Sequence, residues 1–333
     1  MTEAQPILSI SNLQTRFATR YGLVTAVDGV SLDVMPGECV GVVGESGSGK
    51  SVTFASVMGL IKPPGWIDGG SIKFEGQELV GMSERSYRSL RGKYIAMTMQ
   101  DALTALNPAL TVGFQIMEVL LAHDSQISGS ARNRIRKARA RVIEMMMLVR
   151  IPSPETRLND YPHQFSGGMR QRMMIAIALA CRPKLLIADE PTTALDVTIQ
   201  AQVLELITDI RQTLGMSVIL ITHDLGVVAE YCDRVAVMYA GQVIESGPTK
   251  SVIGQPSHPY TQGLLRSIPN LANLDKRIRP IEGQVPELID LTPGCRFIGR
   301  CDVREEACTQ RVEMRNIGQG RTVRCIQPKG NVQ

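Results

Sequence analysis

Residues 44–51 read Gly44-Glu45-Ser46-Gly47-Ser48-Gly49-Lys50-Ser51, a fit to the pattern G-x-x-x-x-G-K-[ST]. Such a loop turns backbone N–H groups inward around phosphate oxygens, where glycines permit the turn and a following helix start adds positive potential. Lys50 is expected to reach the outer phosphates and the Ser51 hydroxyl to hold Mg²⁺, with Val52 opening the helix that follows. The pattern predicts binding of a nucleoside triphosphate. A second pair of candidates, Asp189 and Glu190, closes the apolar run Leu185-Leu-Ile-Ala188. Two carboxylates at the end of a buried strand suit support of Mg²⁺ by Asp189 and polarisation of an attacking water by Glu190. His223 follows the run Val218-Ile-Leu-Ile221 and Thr222. A lone histidine is more often structural, but a strand end aims this one at the γ-phosphate region.

These residues need strands that end beside one another. Strand-like runs occupy Ile7–Phe17, Val24–Val34, Cys39–Val43 and Ser71–Phe74, with Pro36-Gly37 and Gly69-Gly70 between them. The continuous apolar runs before Gly44, Asp189 and His223 predict parallel strands covered on both faces, separated by helices at Val52–Leu60 and Gln202–Leu214. Residues 101–165 differ in character, with helical spacing over Val112–Ala122 and Ala131–Val149. The second helix is expected to bury Ile135, Ala138, Val142, Met145, Met146 and Val149. Its other face carries Arg132, Arg134, Arg136, Lys137, Arg139 and Arg141, expected to be solvated rather than bound to RNA or lipid. Val235–Glu245 reads as a hairpin around Gly241-Gln242. Residues 254–333 are rich in Pro, Gly and Arg. The expected organisation is a nucleotide-binding domain over 1–253, with a helical subdomain at about 101–165, and a loop-rich extension over 254–333.

The chain has 333 residues and a formal charge of +4, too small to argue for nucleic acid by itself. No run of 18 apolar residues is present, as a spanning helix would need. The first residues lack the pattern of a signal peptide, so a cytosolic setting with free or metal-bound thiols is expected. Of seven cysteines, Cys39, Cys181 and Cys232 are expected as core thiols. Cys295, Cys301, Cys308 and Cys325 follow the spacing C-x₅-C-x₆-C-x₁₆-C. Four thiols in a segment without its own core suggest a metal staple, though the spacing matches neither common zinc sites nor common ferredoxins. An iron–sulfur cluster, zinc and unligated or oxidised thiols all stay open on the residues alone.

Phe165-Ser166-Gly167-Gly168-Met169-Arg170-Gln171-Arg172 resembles the signature of ATP-binding cassette (ABC) proteins, whose usual form begins Leu-Ser-Gly-Gly-Gln. Ser166 stands 23 residues before Asp189, as in that family. The resemblance covers residues 5–250 without a gap. It implies an α/β fold: a P-loop NTPase of ABC type with a helical insertion subdomain and the loop-rich C-terminal appendix. Gln100, in Met97-Thr-Met-Gln100-Asp101, matches the glutamine loop, which assigns it to Mg²⁺ and the reacting centre. Ala194-Leu195-Asp196 matches the loop after the second nucleotide motif, and His223 the switch histidine. Phe17 matches the aromatic that stacks on adenine, with Tyr21 as the alternative. The family mechanism implies two cassettes closing head to tail on two ATP molecules, with Ser166, Gly167 and Gly168 capping the γ-phosphate of the partner's site. Phe165 and Met169 depart from the usual Leu and Gln, and Ala102 follows Asp101 where proline is usual. The hydrolytic positions match, so an active ATPase is expected.

Thr104-Ala-Leu-Asn-Pro108, Tyr161-Pro-His-Gln-Phe165, Cys181-Arg-Pro-Lys184, His258-Pro-Tyr-Thr-Gln-Gly-Leu-Leu265 and Cys295-Arg-Phe-Ile-Gly-Arg-Cys301 resemble ATPases of bacterial dipeptide and oligopeptide importers. That group extends to importers of glutathione, opines and nickel. The resemblance implies two permease subunits, a second and related ATPase subunit (a homodimer being the alternative) and an extracytoplasmic solute-binding protein. It also implies a peripheral place on the cytoplasmic face of the inner membrane. Similar ATPases carry a [4Fe–4S] cluster on such cysteines, which implies one here. An ABC ATPase acting on nucleic acid or ribosomes, using the arginine face, is the rival class. Such proteins usually join two cassettes in one chain or carry long coiled-coil insertions, and neither is seen.

Overall fold

The computed structural model describes residues 5–124, 126–193, 195–267, 280–289, 291 and 293–328. In chain order the elements are β1 (Leu8–Thr19), β2 (Gly22–Val34), β3 (Cys39–Val43), α1 (Lys50–Val57), β4 (Gly65–Phe74), β5 (Gln77–Glu78), α2 (Glu84–Leu90), β6 (Ile95–Thr98) and α3 (Ala102–Ala105). There follow α4 (Val112–His123), α5 (Ala131–Leu148), α6 (Pro154–Arg157), α7 (Gly167–Leu179), β7 (Leu185–Asp189), α8 (Val197–Leu214), β8 (Ser217–Thr222) and α9 (Leu225–Tyr231). The last are β9 (Arg234–Tyr239), β10 (Gln242–Pro248), α10 (Thr249–Gly254), α11 (Pro259–Arg266), β11 (Arg315–Asn316) and β12 (Thr322–Val323). The chain divides into two compact units, Met1–Gly81 with Ile221–Gln333, and Met82–Leu220. Among the described residues no helix is long and apolar enough to cross a membrane.

The first unit holds an antiparallel sheet in the order β2-β1-β4-β5, and strands in the order β11-β12-β10-β9-β3. β3 pairs in parallel with β9, and every residue of Cys39–Val43 is buried, as a run of Val and Cys with no polar alternation requires. Burying each such branched side chain contributes roughly 1.5–3 kcal/mol. The sequence expectation broke the strand region at Gly69-Gly70, whereas β4 runs through it from Gly65. Gln14 of β1 pairs with Gly69 between two register irregularities, so the glycines accommodate a bulge rather than a turn. Residues beyond 254 are tied into this unit. β12 pairs with β10, and Tyr260, Phe297 and Val323 are buried. Tyr260 and Phe297 pack edge to face at 5.4 Å, and both meet Tyr239.

In the second unit β7 lies between β8 and β6, with β6 and β7 parallel. All five residues of β7 are buried. α8 buries Val203, Leu204, Leu206, Ile207 and Ile210, the spacing of one helical stripe, and ends at Gly215 in the left-handed conformation. α5 buries Ala138, Val142, Met145 and Met146. Ile135 does not join them: it is 54% exposed, one turn short of the helix stretch that is covered. The arginines from 132 to 139 are exposed, and Arg141 pairs with Glu144 at 2.5 Å.

His258 caps α11 while fully buried. Its Nδ1 accepts the Tyr260 N–H at 3.0 Å, and its own backbone N–H donates to Glu245 at 2.9 Å. Burial lowers its pKa to about 3. The unfolded chain therefore binds a proton below about pH 6.5 that the folded chain refuses, so stability falls as pH drops from about 6.5 towards 3. Replacing His258 by Asn keeps a capping acceptor without the titration. The expected outcome is a melting temperature less dependent on pH between 6.5 and 4 than that of the parent, read by thermal denaturation.

Candidate functional site

β3 delivers the chain into the loop Gly44–Ser51, and α1 begins at Lys50. Gly49 stands at φ 95°, and a Cβ there would lie 2.6 Å from the Ala26 carbonyl oxygen, so only glycine fits. The buried Lys50 folds back over its own loop. Its Nζ donates to the carbonyls of Gly44 at 2.7 Å and Glu45 at 3.0 Å, and to Ser48 Oγ at 3.3 Å. The Ser48 N–H donates to the Glu45 carbonyl at 3.2 Å, and the Gly241 N–H to the Ser48 carbonyl at 2.9 Å. Ser46, Gly47 and Ser51 are exposed. The result is a folded loop with its ammonium held on its own backbone oxygens.

In the same unit Phe17 lies along β1 between Val24 and Gly65, its partners on β2 and β4, half-buried. A Cβ on Gly65 would come within 2.4 Å of it. Tyr21 lies in the turn after β1, 71% exposed, with the Arg20 guanidinium 4.6 Å above its ring. His223 is exposed at the end of β8, just before Asp224, whose Oδ1 accepts the Gly226 N–H at 2.7 Å and so caps α9.

The second unit assembles another set. Asp189 ends β7 and is buried. Glu190 follows with φ 44°, a left-handed backbone that costs a non-glycine residue of order 1–3 kcal/mol. Its Oε2 accepts from Gln100 Nε2 at 2.7 Å and from Thr193 Oγ1 at 2.8 Å. Gln100 and Glu190, chosen separately in the sequence, are thus in direct contact. Thr193 was not singled out, although its place in Pro191-Thr-Thr193 beside the acids was the available signal. Asp196 caps α8, its Oδ1 accepting the Ile199 N–H at 2.9 Å. Ala194 lies outside the described residues. Ser166 caps α7, taking the Met169 N–H at 3.4 Å, with Ser166 and Gly167 exposed at the helix start. Phe165 is buried in place of the usual leucine, and Arg170 Nε ties the turn by donating to the Pro162 and Phe165 carbonyls at 3.0 and 2.9 Å.

The four late cysteines come together in the first unit. Cys295, Cys301, Cys308 and Cys325 line one largely apolar pocket, all as free thiols. Burial pushes Cys295 up to about 11 and raises Cys325 as well. Among the described residues, however, no group of three or more His, Cys, Asp or Glu side chains is arranged to hold a metal. The donors suit iron–sulfur chemistry, but their arrangement does not bring out the expected cluster. Cys39 and Cys232 are buried with sulfurs 3.6 Å apart, and the half-buried Cys181 is pushed up to about 11 by desolvation. The sequence reading passed over Arg300, whose guanidinium grips Glu45 of the phosphate loop at 2.6 and 3.1 Å. It stands between Cys295 and Cys301, and nothing beside it in the sequence marks it as a partner of Glu45.

A family model described as ABC transporter matches residues 27–193, and one for the C-terminal region of oligopeptide/dipeptide transporters matches residues 244–308. The dipeptide transport ATP-binding protein DppD of Bacillus subtilis (strain 168) is 52% identical over 305 residues, 91% of this chain and 89% of that protein. The oligopeptide transport ATP-binding protein AppD of the same organism is 48% identical, covering 96% of each chain. DppD of Escherichia coli (strain K12) is 46% identical over 97% of each. Among solved structures, a dimeric ATP-binding cassette in a post-hydrolysis state bound to ADP and Pi superposes with a TM-score of 0.63 at 25% identity, covering 73% of this chain and 98% of that one.

Gly168 supplies a test of the signature turn. A Cβ there would lie 2.5 Å from Ile199 Cγ2, a branch atom that cannot swing away. Gly168→Ala should therefore destabilise the chain by about 1–3 kcal/mol, the usual cost of overpacking. Adding Ile199→Ala should relieve part of that loss in a denaturant titration.

Proposed function

The chain belongs to the ABC transporter family of ATP-binding subunits, and from that premise we propose that it hydrolyses ATP to drive import of dipeptides or oligopeptides. The folded phosphate loop, with Lys50 held on the Gly44 and Glu45 carbonyls, carries the nucleotide part of this reading. Names of relatives at 46–52% identity carry the solute class. Backbone N–H groups of residues 44–51 receive the phosphates, and Lys50 exchanges its carbonyl partners for phosphate oxygens. Phe17 stacks on adenine. Ser51, Asp189 and Gln100 supply oxygen donors for Mg²⁺, which when bound neutralises phosphate charge. Mg²⁺ at triphosphate sites keeps waters and few protein ligands, so it does not need the group of three His, Cys, Asp or Glu that is lacking among the described residues. Glu190, held by Gln100 and Thr193, accepts the proton of the attacking water, and His223 orients the γ-phosphate. Ser166, Gly167 and Gly168 at the start of α7 serve a partner subunit's nucleotide, with Asp196 on the same face of the reaction.

The subunit works with membrane permeases. Two permease subunits, a second related ATPase and an extracytoplasmic binding protein complete the assembly in this reading, with the chain peripheral on the cytoplasmic face of the inner membrane. The four thiols of the C-terminal pocket would be the ligands of a [4Fe–4S] cluster serving as a structural staple, once drawn together around it. Its support is the donor set, four reduced cysteines on one pocket. Anaerobically purified chain should then contain about four irons, as such clusters do. Colourless protein with stoichiometric zinc, or with seven titratable thiols and no metal, refutes it.

The hydrolytic assignment is tested by Glu190→Gln. The variant should bind ATP like the parent, while turnover in the assembled transporter falls at least 100-fold, about 2.7 kcal/mol of barrier. Near-normal turnover would remove Glu190 as the base.

A further inference from the structure

Glu45 carries a negative charge inside a loop built for a polyanion. Unopposed, that carboxylate would repel the phosphates and pull on the loop's own N–H groups. It is gripped from three sides. Its carboxylate takes both terminal nitrogens of Arg300, at 2.6 and 3.1 Å, in the paired geometry that guanidinium and carboxylate favour. Its N–H donates to Tyr260 Oη at 2.9 Å, and its carbonyl accepts from Lys50 at 3.0 Å. Arg300 is itself immobilised. Its side chain is only 6% exposed, Nε donates to the Glu282 carbonyl at 2.9 Å, and Nη2 donates to the Ile281 carbonyl at 3.1 Å. The guanidinium lies 5.8 Å from the Tyr239 ring and 5.9 Å from Phe297.

We propose that Arg300 is a positioning residue for nucleotide binding: it neutralises and aims away the Glu45 carboxylate, so that the loop presents N–H groups and Lys50 to the phosphates. The inference rests on the reading of residues 44–51 as the nucleotide site. Because Arg300 adjoins Cys301 and follows Cys295 by five residues, the cysteine-bearing segment acts on ATP affinity through this one ion pair. Losing the guanidinium would leave a half-buried carboxylate uncompensated, which costs far more than the pair contributes.

The test is a titration of the full-length chain with a fluorescent ATP analogue. Arg300→Ala should raise Kd about tenfold, the scale expected for an unpaired charge beside a bound anion. Adding Glu45→Gln to that variant should restore most of the affinity, which a purely structural role of Arg300 would not allow. The deficit of the single variant should also shrink at high salt. If Arg300→Ala does not fold, Arg300→Lys, which keeps the charge and loses the fork, enters the same comparison with and without Glu45→Gln. Unchanged Kd in the Arg300 variant, or a double variant no better than the single, overturns the proposal. Lys50→Ala is the separate control: full affinity there would defeat the nucleotide-site reading and overturn the positioning role of Arg300 with it.

Discussion

A loop that binds polyphosphate has to keep several N–H groups pointed at one spot before any anion arrives, against their mutual repulsion. Residues 44–51 are held by hydrogen-bond partners from within the loop and from outside it. Lys50 satisfies the carbonyls that the inward turn leaves behind. Gly241 takes the Ser48 carbonyl, Tyr260 holds the Glu45 N–H, and Arg300 holds the Glu45 carboxylate. The strand β3 and helix α1 fix where the loop begins and ends. Pre-organisation of this kind means that binding the nucleotide needs little reordering, and the interaction free energy can go into affinity.

The residues proposed for hydrolysis follow another logic. Glu190 must present a carboxylate at a strand end, and its backbone adopts an unfavourable φ to do so. Such strain persists only where neighbours over-determine it. Gln100 and Thr193 on its Oε2, together with fully buried β7, supply that restraint. A glutamine in direct contact with the proposed base also means that any shift of the segment after β6 changes what Glu190 meets.

Most of this was legible in the sequence because the signals are local. Gly44–Ser51, the acids after β7 and the glycines of α7 carry their chemistry in consecutive residues, and uninterrupted apolar runs marked β3, β7 and β8. Two errors had local causes. Gly69-Gly70 looked like a turn because glycine signals bulges and turns alike, and Ile135 looked buried because periodicity cannot say where along a helix its cover ends. Arg300 was not legible. Its partner Glu45 lies 255 residues away, and nothing in either neighbourhood announces the other.

The same blindness extends to the whole attachment of the C-terminal residues, and its physical reason is the kind of interaction used. Besides the cluster of Tyr239, Tyr260 and Phe297 and the pairing of β12 with β10, arginines make the joins. Arg296 pairs with Asp28 at 2.6 Å and donates to the Ala240 carbonyl. Arg321 pairs with the buried Glu245 at 3.1 Å, and Arg324 donates to the Val243 and Val312 carbonyls. An apolar join would tolerate sliding and would show as periodicity. Buried ion pairs add little net stability after desolvation, but each is costly to break and fits one register. A segment joined this way is held in one register against the phosphate loop. A merely sticky appendage would have no use for charged pairs that oppose burial at every step.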